Sequence, residues 1–127
     1  MANILVVEDS LMLRKVACFP LEKEKHKVFE ANNGIEGLEI VYKEQVDLIF
    51  TDLNMPGMDG FEFIKQLKEN EKYAHIPIVI LTTEGKKDMI MKGLSLGANS
   101  FLQKPIKPDL MLQEVERLLS KASGKGS

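Results

Sequence analysis

The chain has a single cysteine, Cys18, and no tryptophan in 127 residues. A lone thiol excludes an internal disulfide and a cysteine-built zinc site, and it suits a reducing compartment, where Cys18 reads as a small buried hydrophobe. Long apolar runs are missing too. None approaches the roughly 20 residues that span a bilayer, and no basic segment followed by an apolar stretch opens the chain as a targeting signal. The expectation is a soluble, cytoplasmic protein with no membrane insertion. An excess of one charge is also lacking: 17 basic residues face 19 acidic ones, for a net charge of −2, so there is no global pull toward nucleic acid. The two histidines, His26 and His75, each lack a second ligand at metal spacing and read as surface or loop residues.

What is there is the length of one domain. Residues 1–121 are expected to form it, with a disordered tail over 122–127, because the composition turns to Ser, Gly and Lys from Ser120 onward. Five apolar runs read as strands: Asn3–Val7, Lys27–Ala31, Asp47–Thr51, Ile78–Leu81 and Ser100–Gln103. Most are continuous rather than alternating in apolar residues, as strands covered on both faces are, and each is followed by a segment of helical period. This is an α/β pattern with a parallel sheet.

The stripes expected to face that sheet are Leu13, Val16 and Ala17; Ile35, Leu38 and Tyr42; Phe61, Ile64 and Leu67; and Met111, Val115 and Leu118. Helix starts are marked by Asn33 with Glu36, by Asp59 with Glu62, and by Pro108 with Asp109. The helix near Lys86–Leu96 is the least regular. Pro20 falls inside the first helical pattern and predicts a bend or stop near Phe19. Met89, Met91 and Met111 read as core fillers ahead of a docking face.

In an open parallel sheet, ligands bind outside the carboxyl ends of the strands. Glu8 and Asp9 follow the first run, Asp52 the third, Thr82 and Thr83 the fourth, and Lys104 the fifth, so one crevice would gather them. Oxygen donors of this kind suit a hard cation such as Mg²⁺. Asp52 would then be a nucleophile of the aspartyl-phosphate type, Lys104 a cation on the transferred group and Thr82 a hydroxyl donor to it. For each residue there is a plainer reading. Glu8 and Asp9 could be helix caps, Asp52 the opening of a turn, Thr82 a strand-end threonine and Lys104 a solvated lysine. Taken as a set, the chemistry is phosphoryl transfer onto a carboxylate.

Glu8-Asp9, the stretch from Asp52 through Asn54, Pro56 and Asp59 to Gly60, Leu81-Thr82-Thr83, Gly97-Ala98, and Phe101 with Lys104-Pro105 together resemble the receiver domain of two-component response regulators, from Asn3 to about Leu119. The resemblance implies a flavodoxin-like (βα)5 doubly wound sheet in the order 2-1-3-4-5, shared with flavodoxin and the chemotaxis receiver. It implies that Asp52 is the phosphoryl acceptor and that Glu8, Asp9, Asp52 and the backbone carbonyl of Asn54 hold Mg²⁺. Thr82 and Phe101 would be the switch pair, Lys104 would hold the phosphoryl group, and Lys104-Pro105 would be a cis peptide.

The implied partners are a sensor histidine kinase or phosphotransfer protein, and a downstream target docking on the fourth helix, fifth strand and fifth helix of a monomer. Such a protein is a signalling switch rather than an enzyme in its own right. Thr82-Thr83-Glu84-Gly85-Lys86-Lys87 is similar to chemotaxis-type single-domain receivers, although Lys86-Lys87 also reads as a solvated helix start, and Thr83 and Glu84 would flank the pocket mouth. Phe101 stands where Tyr is common, and Gly37 where Ala is, a change expected to weaken the second helix modestly.

Three other readings compete. A haloacid dehalogenase-like phosphatase also forms an aspartyl phosphate, but it needs an Asp two residues after the nucleophile, where Asn54 stands. A flavodoxin needs a hydroxyl- and glycine-rich loop where Glu8-Asp9-Ser10-Leu11 would repel phosphate. The third is an inactive receiver-like binding module.

Overall fold

Strand β1 (Asn3–Val7) leads into α1 (Leu11–Lys23), and the alternation repeats through β2 (Lys27–Ala31), α2 (Gly34–Lys43), β3 (Leu48–Asp52), α3 (Gly60–Glu69), β4 (Ile78–Thr82), α4 (Lys87–Ser95), β5 (Ser100–Gln103) and α5 (Pro108–Ser123). The computed structural model describes residues 1–83 and 86–123. All neighbouring strands are parallel, in the order β2-β1-β3-β4-β5, which is the flavodoxin-like order expected.

Alternate residues of each central strand feed two cores. Ile4, Val6, Leu48, Phe50, Val79 and Leu81 meet Ala17, Cys18 and Leu21 of α1 and Met111, Val115 and Leu118 of α5. Leu5, Val7, Ile49, Ile78 and Ile80 meet Leu38 and Val41 of α2 and Phe63, Ile64 and Leu67 of α3. Burial on both sides is why these runs carry almost no polar residue. Of the three methionines, Met111 is part of the core under α1 and α5, Met89 packs against the core on the opposite face of the sheet, and Met91 is exposed.

Two helices turn a different face inward from the one expected. In α1 the buried side is Arg14, Ala17, Cys18, Pro20 and Leu21, while Leu13 and Val16 are exposed. In α2 it is Gly34, Gly37, Leu38 and Val41, leaving Ile35 and Tyr42 outside. A buried arginine and two buried glycines dilute the hydrophobic signal of the faces that pack, so scattered surface apolar residues outweighed them. In α3, Phe61 is only half-buried and Phe63 fills the core.

Helix α1 does not stop at Phe19: it continues through Pro20 to Lys23. Proline takes away the donor that would reach the Val16 carbonyl, and the helix continues because Pro20 is itself buried on the packed side with Cys18 and Leu21. The helix closes instead at Lys25 (φ 70), with Lys25 N–H donating to the Glu22 carbonyl and His26 N–H to the Leu21 carbonyl, a paired Schellman closure. The strand expected at Asp47–Thr51 begins and ends one residue later, which brings Asp52 into β3. Helix α5 runs to Ser123, so Ser120–Ser123 are helical where the composition turned toward a tail: no glycine interrupts them before residue 124. Glu84 and residues 124–127 lie outside the described residues.

Candidate functional site

The parallel sheet brings β1, β3 and β4 to an end on one edge, and the turns that leave them carry the polar residues. The β1–α1 turn is short because Ser10 caps α1 at once, its hydroxyl accepting from Leu13 N–H at 3.3 Å. Glu8 and Asp9 therefore stay at the sheet edge rather than acting as the cap. Asp59 caps α3, accepting from Glu62 N–H at 3.0 Å, which takes it out of the cluster. Gly60, the first residue of α3, lies so close to the end of β3 that a Cβ there would run into the Asp52 carbonyl oxygen and the Leu53 Cα. The loop after Asp52 is thereby pressed back onto the strand.

Carboxylate oxygens of Glu8, Asp9 and Asp52 lie within 4.8 Å of one another. Asp52 is half-buried, and its Oδ1 accepts from the backbone N–H of Leu53 at 2.7 Å and of Asn54 at 3.3 Å. Lys104 arrives from the far end of the chain. Its Nζ donates to Glu8 Oε1 at 2.7 Å and to Asp52 Oδ2 at 3.1 Å. Glu8 is buried, and its Oε2 accepts from Ser10 N–H at 3.1 Å, whereas Asp9 is exposed.

Burial pushes the Glu8 carboxyl above its usual range, against the pull of the Lys104 ammonium and the Ser10 N–H. Burial works to lower the Lys104 pKa, but the hydrogen bonds to Glu8 and Asp52 outweigh it and leave the ammonium strengthened. Two of the three carboxylates, Glu8 and Asp52, thus share one ammonium, and Asp9 stands beside them without a cation of its own among the described residues. An all-oxygen, net-negative donor set of this kind fits a hard divalent cation such as Mg²⁺ and not a soft one.

Thr82 is buried at the end of β4, its hydroxyl donating to the Thr83 carbonyl at 3.3 Å. Its own carbonyl accepts from Lys104 N–H, which ties the two strand ends together. The Lys104-Pro105 peptide is cis. Phe101 does not join the pocket: it is 44% exposed and lines an apolar groove with Ile90, Met91 and Leu94 of α4. Glu8, Asp9, Asp52 and Lys104 are thus brought together, Thr82 borders them, and Phe101 stands outside.

Arg14 was not anticipated. Its guanidinium is buried beside the cluster and bonds the Glu8 carbonyl, Asn32 and Glu30. The signal lay in helical spacing: Arg14 completes the 14-17-18-21 stripe of α1.

A family model of the response regulator receiver domain matches residues 4–116. The chain is 36% identical to the chemotaxis protein CheY homolog of Campylobacter jejuni, over 98% of each chain. It is also 36% identical to sporulation initiation phosphotransferase F of Bacillus subtilis, over 92% of this chain and 93% of that one. Among solved structures, the chemotaxis response regulator CheY4 of Vibrio cholerae superposes with a TM-score of 0.86 at 36% identity, covering 94% of this chain and 99% of that one. With the strand order, the clustered acids and the lysine that bridges them, these likenesses show that the chain belongs to the response regulator receiver domain family.

Proposed function

We propose that Asp52 is the phosphoryl acceptor of a two-component phosphorelay switch, supplied by a phosphohistidine on a sensor histidine kinase or phosphotransfer protein, or by a small phosphodonor. The observation that carries this reading is the Lys104 ammonium held against both Glu8 and Asp52. Asp52 Oδ1 is engaged by two backbone N–H groups, whereas Oδ2 meets the Lys104 ammonium, which makes Oδ2 the attacking atom in this reading. The new O–P bond forms as the donor's N–P bond breaks and its electron pair stays on the imidazole nitrogen. Lys104 then moves from the carboxylate to the phosphoryl oxygens, where its charge is needed most in the transition state. Glu8, Asp9, Asp52 and the Asn54 carbonyl would hold Mg²⁺, which supplies charge neutralisation for those oxygens.

Among the described residues the Thr82 hydroxyl makes one long bond, to its neighbour's carbonyl, and can turn toward the phosphoryl group. Phe101 would follow by rotating inward and reshaping the groove it lines, which favours one state of the α4–β5–α5 face for a partner. Likeness to the Campylobacter and Vibrio chemotaxis proteins supports a target in chemotaxis.

Incubation with Mg²⁺ and acetyl phosphate, followed by intact mass measurement, tests the reading. One added phosphoryl group is expected in the wild type and none in Asp52→Asn. No mass gain and no Mg²⁺-dependent beryllofluoride response would leave an inactive receiver-like module. Sustained turnover of diverse phosphate monoesters would instead indicate the phosphatase.

A further inference from the structure

Helix α1 turns one cation inward. Arg14 is 9% exposed, whereas Lys15 beside it is in solvent. Arg14 Nη1 donates to the Glu8 backbone carbonyl at 2.8 Å and to Asn32 Oδ1 at 2.6 Å, and its Nε donates to Glu30 Oε1 at 2.8 Å. Its own backbone N–H reaches the Ser10 carbonyl at 2.9 Å. The Arg14 side chain thus grips the β1–α1 turn at Glu8, the residue before Asp9, while the bond to Ser10 is the backbone bond of the first helical turn. Asn32 is fixed in turn by Glu36 of α2, whose Oε1 accepts from the Asn32 N–H at 2.8 Å and from Nδ2 at 3.1 Å.

Asp9 gives this grip its meaning. Among the described residues its carboxylate makes no hydrogen bond, so only the backbone that carries it aims it at Glu8 and Asp52. Mg²⁺ demands near-ideal octahedral geometry, so a small rotation of that turn would weaken the site. We propose that Arg14 is a positioning residue for the cation site: by holding the Glu8 carbonyl it fixes the direction of the Glu8 and Asp9 carboxylates. The inference rests on the reading that Glu8, Asp9 and Asp52 bind a divalent cation. It predicts a division of labour within one side chain. The Nε contact with Glu30 ties α1 to β2, and the Nη1 contact with the Glu8 carbonyl serves the site.

The test is a titration of the metal-free protein with Mn²⁺ alone, free Mn²⁺ being read by electron paramagnetic resonance, with the thermal midpoint of each variant measured beside it. In Arg14→Lys, which keeps the charge but not the fork, the Kd for Mn²⁺ rises about tenfold. In Glu30→Gln the midpoint falls while the Kd stays near that of the wild type. If the Arg14 variant does not fold, Asn32→Ala, which removes the second acceptor of Nη1 together with the Nδ2 bond to Glu36 and leaves the Glu8 contact in place, raises the Kd by a smaller factor. A folded Arg14→Lys that binds Mn²⁺ like the wild type overturns the inference, and so does a Glu30→Gln that loses affinity equally. With the Arg14 variant unfolded, so does an Asn32→Ala with unchanged affinity. Absence of Mn²⁺ binding in the wild type removes the cation site itself and the inference with it.

Discussion

Lys104→Met separates the ammonium from its methylene stem. At an effective dielectric constant of about 20, unit charges at 2.7 and 3.1 Å attract by about 6 and about 5 kcal/mol, and carboxylates within 4.8 Å of each other repel by at least about 3 kcal/mol. These gross terms are offset by the desolvation of the ammonium, and removing one partner of a buried pair costs about 3–5 kcal/mol in practice. Lys104 and Asp52 are each 13% exposed at the side chain, so a loss near the low end, about 3 kcal/mol without Mg²⁺ at neutral pH, is expected. The assay is urea unfolding followed by far-ultraviolet circular dichroism, since the chain has no tryptophan.

Two further signatures belong to this cause alone. Mg²⁺ replaces the missing charge, so it stabilises the variant more than the wild type. The Glu8 carboxyl, already raised in the folded protein, rises further. A folded pKa above the unfolded one means that the native state binds the extra proton, so the variant regains stability as pH falls from the folded pKa toward 4.5. A variant as stable as the wild type, or an equal Mg²⁺ increment in both, would refute the reasoning.

Gly37→Ala should destabilise despite alanine's better helix propensity, because a Cβ there would sit 2.9 Å from the buried Phe63 ring and 3.2 Å from Val7. Overpacking costs of about 1–3 kcal/mol exceed the propensity gain of about 1 kcal/mol, and a raised thermal midpoint would contradict this. Burial pushes the Cys18 thiol up to about 12, so alkylation at pH 8 should be slow in the native protein and fast in urea; equal rates would show an accessible thiolate. His26 Nδ1 accepts from Ala2 N–H at 3.1 Å, and burial, with the N-terminal charge, holds its pKa below 6.5. The stability this lends is present above 6.5 and is lost as pH falls through the lower folded pKa. Proton resonance titration of the ring should therefore give a midpoint below 6.5, and a midpoint above it would contradict the assignment.

Legibility followed physical cause. Strands buried on both faces carry few polar residues, so β1, β3 and β4 stand out as continuous apolar runs, and the strand-end rule alone puts Glu8, Asp9, Asp52, Thr82 and Lys104 on one edge. The caps at Asn33 and Asp59 were legible because their spacing to Glu36 and Glu62 is fixed by one helical turn. The inward faces of α1 and α2 were not. Arg14, Gly34 and Gly37 are buried for reasons other than hydrophobicity: an arginine because carbonyl and carboxylate partners satisfy it, glycines because a neighbour approaches closely. Of the two outcomes open at Pro20, the stop does not occur, because burial of Cys18, Pro20 and Leu21 holds α1 together across one missing hydrogen bond. The tie from Arg14 to Glu30 and Asn32 has no periodicity to betray it.

The central claim is that the carboxylate bridged by Lys104 is the one that takes the phosphoryl group. Borohydride reduction of the protein after reaction with acetyl phosphate and Mg²⁺, followed by peptide mass spectrometry, reads the position directly, because an acyl phosphate is reduced where it stands. The account predicts homoserine at position 52 alone. Reduction at Glu8, Asp9 or Asp59, with Asp52 intact, would contradict it.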